Sequence, residues 1–165
     1  MLNVHEVIPP LTARLPTGDA IRAWDFKQKK NLVIAFLHSD CKACGSFLEQ
    51  LALRALELAE AETVALAIFS KSPWSRILSP LPREILAAAD TTGRSQLAYL
   101  EENVLGPAGQ QRVGVFITDR YGELYAQWVG WEPESLPQAD EVFVWLAQVE
   151  MACEEDGVSH WTAAA

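Results

Sequence analysis

Asn31-Leu-Val-Ile-Ala-Phe-Leu-His-Ser-Asp-Cys41-Lys-Ala-Cys44-Gly-Ser-Phe-Leu-Glu-Gln50 runs from an unbroken apolar segment, through a polar corner, to two cysteines three residues apart. Residues 32–37 have the length and composition of a strand buried on both faces, and from about Ala43 onward leucines and alanines recur at helical spacing. The cysteine pair therefore falls where a strand turns into a helix. Unpaired N–H groups and the positive end of the helix dipole favour a thiolate there, and such positions lower a cysteine pKa from about 8.5 toward roughly 7 or below. The first cysteine becomes the nucleophile. The second, one helical turn further on, is close enough to close a disulfide onto it. The neighbouring charges are mixed: Lys42 supports a thiolate, Asp40 opposes one, and His38 acts in either direction according to its protonation.

Working outward, residues 43–60 predict a helix with Phe47, Leu48, Leu51, Ala55, Leu58 and Ala59 on its inner face, and residues 63–69 predict a second fully apolar strand. Together these form a βαβ unit, whose crossover is expected to be right-handed. Upstream, Pro9-Pro10 and Pro16-Thr-Gly-Asp19 mark a lead-in with a turn and short strands near residues 11–15 and 20–24. Downstream, residues 70–82 carry three prolines and read as a long loop, followed by a short strand at 86–89. Asp90-Thr-Thr-Gly93 then opens a helix over 94–102, and Gly106-Pro-Ala-Gly109 breaks the chain. Residues 113–118 and 123–129 predict a hairpin across Asp119-Arg-Tyr-Gly122. A last helix is expected over 138–153, with Val142, Trp145, Leu146 and Val149 facing inward.

The 165 residues, half of them hydrophobic, suffice for one globular domain over 1–165, with its core within about 10–150 and a frayed tail at 154–165. A net charge of −9 argues against a phosphate-binding surface, so nucleic acid is not an expected partner. The N-terminus lacks a basic stretch followed by a long apolar one, and no run approaches the roughly 18 to 20 residues of a membrane span. A cytoplasmic location without a membrane partner is expected. Three cysteines do not make a disulfide framework, so the close pair reads as redox or metal chemistry. Zinc would need two more ligands from Cys153, His5, His38 and His160, none of which is paired at ligand spacing, so redox chemistry is preferred. Cys153, beside Met151 and Ala152, reads as an apolar filler, and Trp128 and Trp131 as core or as the rim of a partner surface.

These residues and their order resemble the thioredoxin fold, and within it the peroxiredoxin-like (alkyl hydroperoxide reductase/thiol-specific antioxidant) and redoxin branch, over roughly residues 10–150. Lys29-Lys-Asn-Leu-Val-Ile-Ala-Phe followed by Cys41-Lys-Ala-Cys44 looks like the branch's first central strand and redox site. Phe116-Ile-Thr-Asp119-Arg-Tyr-Gly122-Glu-Leu resembles its hairpin, and Asp90-Thr-Thr-Gly93 ahead of a helix ending in Tyr99-Leu resembles the segment before it. The resemblance implies a three-layer α/β/α sandwich around a central mixed β-sheet. It also implies a thiol–disulfide oxidoreductase in which Cys41 attacks a protein or small-molecule disulfide and Cys44 resolves the adduct, with an external reductant and no cofactor. The same branch implies one alternative, a thiol peroxidase acting on peroxide; a third, non-enzymatic reading of the cysteine pair is a redox-sensing interaction module that switches a partner surface around Trp128 and Trp131.

The chain also departs from these patterns. Where thioredoxins place a cis-proline before the hairpin strand, this sequence has Val113, and their buried acid six residues before the first cysteine corresponds to Ala35. The peroxiredoxin pattern Pro-x-x-x-Thr-x-x-Cys falls on Ile34 and His38 counted from Cys41, or on Leu37 and Cys41 counted from Cys44. Arg112 lies one residue out of step with the arginine that peroxiredoxins bring to their site.

Overall fold

A computed structural model describes residues 1–71, 80–101 and 111–156. Strand β3 (Asn31–Phe36) is its axis, because every one of its residues is buried. It pairs in parallel with β4 (Thr63–Phe69) from Asn31–Thr63 to Phe36–Ile68, and antiparallel with β6 (Val113–Thr118) from Leu32–Thr118 to Phe36–Gly114. Beyond β4 lies the parallel β5 (Ile85–Ala89), then β1 (Thr12–Arg14) and β2 (Ala20–Arg22). Beyond β6, the hairpin partner β7 (Leu124–Gly130) closes the other edge. The result is a seven-stranded mixed sheet in the order β2-β1-β5-β4-β3-β6-β7.

Strand residues alternate between faces, so each strand feeds two separate cores. On one face, α1 (Lys42–Leu53), α2 (Ala55–Glu60) and α4 (Ala139–Asp156) bring Phe47, Leu51, Leu58, Val142, Leu146 and Val149 onto Val33, Ala35, Ala65, Ala67, Val115 and Ile117. The small alanines at the centre of that face leave room for the helix side chains. On the other face, α3 (Arg94–Leu100) and the N-terminal segment cover the larger Leu32, Ile34, Phe36, Leu66 and Ile68. Phe36, Tyr99 and Phe116 meet there with ring centroids 5.1 to 6.0 Å apart, and the Tyr99 hydroxyl donates to the Pro9 carbonyl at 2.7 Å, fastening the lead-in to the core. Helices therefore cover both faces, and the expected three-layer sandwich with a mixed sheet is the observed one.

Two buried aspartates build the corners that the sequence marked as turns. Asp90 accepts from the backbone N–H groups of Gly93 and Gln96 at 3.1 and 2.9 Å, setting the start of α3. Asp119 accepts from those of Tyr121 and Glu123 at 2.8 and 2.9 Å, holding the β6–β7 turn.

Four expectations need correction. Residues 154–156, expected in a frayed tail, continue α4 to Asp156. The single helix over 43–60 is two helices, parted at Arg54, whose backbone leaves the helical region (φ −110°, ψ 27°). No proline or glycine causes this. At the break the Arg54 guanidinium bonds Glu57 at 2.8 Å and Asp140 at 2.6 Å and lies 3.9 Å over the Phe143 ring, tying the junction to α4. Trp145 is 37% exposed rather than inward; the buried positions among the described side chains of α4 are Val142, Leu146 and Val149, at i, i+4 and i+7, and Trp145 stands at the edge of that stripe. The helix expected to reach 102 stops at Leu100, because Glu101 turns left-handed (φ 54°). Most of the proline-rich loop (72–79), the Gly106–Gly109 break and residues 157–165 of the expected frayed tail lie outside the described residues.

The Phe36–Tyr99–Phe116 cluster generates a stability prediction. Truncating Phe116→Ala should cost about 3 to 5 kcal/mol through lost burial and a residual cavity. Urea unfolding measures this, and a loss below about 1 kcal/mol would show that the cluster is not tightly packed.

Candidate active site

The candidate site is made where β3 runs out of partners. Leu37 extends the β4 pairing by one bond, its N–H donating to the Ile68 carbonyl at 2.9 Å, and residues 38–40 then turn into α1. Cys41 is the N-cap, with extended backbone (φ −99°, ψ 119°), and its carbonyl accepts the first helical bond from Gly45 at 3.1 Å. Its Sγ accepts from the Cys44 N–H at 3.1 Å. Serine or aspartate commonly plays this part, giving an orphan N–H of the first turn an acceptor. The same geometry places the Cys41 sulfur against donor groups that favour negative charge.

Cys44, one turn on, lies deeper than Cys41. It is 1% exposed, in the same apolar cluster as Leu37, Phe47 and Val113, and its Sγ accepts from the His38 N–H at 3.5 Å. Burial pushes the Cys44 thiol up to about 12; the hydrogen bond with Cys41 adds to this and the His38 N–H partly offsets it. Cys41 itself is half-buried, and both cysteines are free thiols. Adjacent sulfurs thus differ in access, and burial resists ionisation of Cys44.

Beside Cys41 opens a groove of about 860 Å³. Lys42, Phe47 and Gln50 form its α1 wall, and the connection from β7 to α4, through Leu136 and Gln138, forms the opposite wall. That connection contains a single 3₁₀ turn at Pro133–Ser135. It presses on the end of β7 so closely that a side chain on Gly130 would overlap Ser135. The sequence reading did not anticipate this wall; Pro133 and Pro137, bracketing a short polar segment, were its visible trace.

The other candidate residues divide. Lys42 and Asp40 are exposed on the turn, and His38 is half-buried with its Nε2 enclosed and without a hydrogen-bond partner. Val113 is fully buried at the start of β6, one position beyond the Phe36–Gly114 pair and in the Cys44 cluster. Arg112, next to it, is turned elsewhere: its Nη1 donates to the Leu100 carbonyl at 3.1 Å and its guanidinium lies 4.5 Å over the Trp131 ring. Neither sulfur is among its hydrogen-bond partners. Trp128 packs half-buried against the α1 and α4 core. His5 pairs with Glu123 at 2.8 Å. Among the described residues no three His, Cys, Asp or Glu side chains form a group that could hold a metal ion, and no helix is long and apolar enough to cross a membrane. The Cys153 side chain and His160 lie outside the described residues.

No family model matches the chain, and no curated protein matches it. Solved structures do share its fold. A 2-Cys peroxiredoxin from Plasmodium vivax superposes with a TM-score of 0.71 at 16% identity, over 92% of this chain and 98% of that one. The mitochondrial 2-Cys peroxiredoxin from Plasmodium falciparum gives 0.69 at 17%, over 94% and 98%. The thioredoxin domain of a thiol-disulfide oxidoreductase from Bacteroides vulgatus gives 0.66 at 14%, over 90% and 98%. At these identities the likeness defines the fold, which is thioredoxin-like, of the kind found in redoxins and peroxiredoxins.

The contrast between the two sulfurs generates a labelling prediction. Near pH 7.5, iodoacetamide should modify Cys41 at least about a hundredfold faster than Cys44, because alkylation requires an accessible thiolate. Cys44 labelling should rise only as pH climbs toward about 12, since burial has raised its thiol in that direction. Mass spectrometry of the modified peptides reads both rates, and equal labelling near pH 7.5 would overturn the assignment.

Proposed function

We propose that the chain is a single thioredoxin-like domain acting as a thiol–disulfide oxidoreductase through the Cys41/Cys44 couple. The observation that carries this reading is the Cys44 N–H bond to Cys41 Sγ at 3.1 Å, which holds a groove-lining sulfur at a helix N-terminus with a second thiol one turn behind it. In the forward reaction Cys41 attacks a substrate disulfide, releasing one substrate thiol and forming a mixed disulfide. Cys44 then attacks Cys41 Sγ, releases the second thiol and leaves the Cys41–Cys44 disulfide for an external reductant. The groove accommodates the substrate beside Cys41, with Lys42 on its wall.

A second reading is a thiol peroxidase, favoured by the likeness to the Plasmodium 2-Cys peroxiredoxins. Peroxide reduction calls for donors that polarise the O–O bond at the attacking sulfur. Arg112 is engaged with Leu100 and Trp131, and His38 stands three residues before Cys41, where peroxiredoxins carry threonine. Disulfide exchange needs mainly an accessible thiolate and a good leaving thiol, so it is the reading preferred here.

Two measurements test the assignment. Cys44→Ser should accumulate mixed disulfides on Cys41, seen as covalent adducts lost on reduction, whereas Cys41→Ser should trap none; the reverse pattern exchanges the two roles. With one external reductant, the parent protein should turn over a disulfide substrate faster than hydrogen peroxide. A peroxide rate well above that of a free thiol, abolished by either Cys→Ser change, would move the chain to the peroxidase class.

A further inference from the structure

The groove beside Cys41 follows one face of α1. Lys42, Ser46 and Gln50 stand along it at four-residue intervals, so at 1.5 Å per residue the α1 wall is about 12 Å long. An extended peptide rises about 3.3 Å per residue, and that length takes three or four residues. No strand residue lines the groove, so a guest's backbone finds no sheet edge to pair with there. On the opposite wall Pro133 and Pro137 carry no N–H. Recognition of a guest therefore falls to side chains.

The polar side chains that face this space share one chemistry. Ser46 and Gln50 on α1 and Gln138 on the opposite wall are exposed, and none of the three side chains has a hydrogen-bond partner among the described residues. A carboxamide offers an acceptor and two donors without charge, which matches the acceptor and donor of a peptide group. Among the described residues lining the groove the charged ones are Lys42 and Glu134, one of each sign, in a chain of net charge −9. Such a lining gives an anionic small molecule little to gain and complements a neutral backbone. Phe47 and Leu136, on facing walls, add apolar surface for the guest's side chains. We propose that Gln50 and Gln138 determine specificity by hydrogen-bonding the main chain on either side of a cystine, so that the site takes disulfides of proteins or peptides whose uncharged, extended segment lies along α1. The proposal rests on the dithiol reading above and names its substrate class.

The test uses the full chain carrying Cys153→Ser, reduced and mixed with either of two neutral disulfides: bis(2-hydroxyethyl) disulfide, or the disulfide-linked dimer of acetyl-Ala-Gly-Cys-Gly-Ala-amide. Acid quenching and mass spectrometry give the second-order rate of oxidation of the Cys41/Cys44 pair, and each rate is divided by that of dithiothreitol with the same disulfide. The normalised ratio of peptide to hydroxyethyl disulfide should be about tenfold or more in the parent. It should fall about threefold in Gln50→Ala or Gln138→Ala and approach one when both are changed. A parent ratio near one overturns the proposal, as does a double variant that keeps the parent's ratio. Replacing both glutamines by methionine keeps their length without the amide, so a ratio preserved there but lost in the alanine pair would mark shape rather than hydrogen bonding and also overturn it. Glutathione disulfide, an anionic peptide, should react more slowly than the neutral peptide on the same scale; a faster rate would assign the groove to anionic small molecules instead. These adverse outcomes leave the dithiol reading intact, whereas a parent oxidised by neither neutral disulfide would sink that reading and the proposal with it.

Discussion

Enclosure of β3 on both faces and along both edges is the constraint on which the rest of the molecule depends. With β4 and β6 satisfying its backbone and two helix layers covering its side chains, the strand has one permissible register. A slip of one residue would carry Leu32, Ile34 and Phe36 under α1, where Ala35, Ala65 and Ala67 now leave room for Phe47 and Leu51. The place where β3 ends is therefore fixed, and with it the start of α1 and the position of Cys41. The inequality of the two sulfurs follows from the same constraint. A helix entered at the rim of a buried sheet presents its cap to the groove and turns the residue one turn later into the core. Cys41, as the cap, stays at the rim, and Cys44, one turn further along the same side of the helix, lies deeper, under the sheet.

The alternating burial of the sheet also separates two tasks. The face carrying Phe36, Tyr99 and Phe116 is dense and aromatic, and it anchors the N-terminal lead-in through the Tyr99 hydroxyl. The opposite face carries Cys44, the groove helices and Arg54, which ties the α1/α2 junction to the start of α4. The cysteine pair and the lead-in anchor thus sit on opposite sides of one sheet.

Much of this was legible in the sequence because it rests on local signals. β3 and β4 are unbroken apolar runs, the hairpin is marked by Asp119 and Gly122, and the strand–helix corner by the polar residues before Cys41. The features that escaped are those written in tertiary contacts. Nothing near Arg54 breaks a helix by propensity, and its contacts there include Asp140 and Phe143, far along the chain. Trp145 was assigned to the core on hydrophobicity, but the geometry of α4 placed the stripe on Val142, Leu146 and Val149. At the site, the cysteine spacing was readable, whereas the groove was not, since its second wall comes from a segment some ninety residues away. Likewise, Arg112 could be located in sequence but not aimed; only the fold turns it toward Leu100 and Trp131.

The contact between Gly130 and Ser135 has a thermodynamic consequence for recognition. Because the 3₁₀ turn rests directly on the end of β7, the second wall of the groove is braced by the sheet rather than suspended from it. A guest entering beside Cys41 meets a receptor already organised, so the loss of configurational freedom on association falls chiefly on the guest. On the proposed dithiol reading, rigid disulfides should then gain more from this groove than flexible ones.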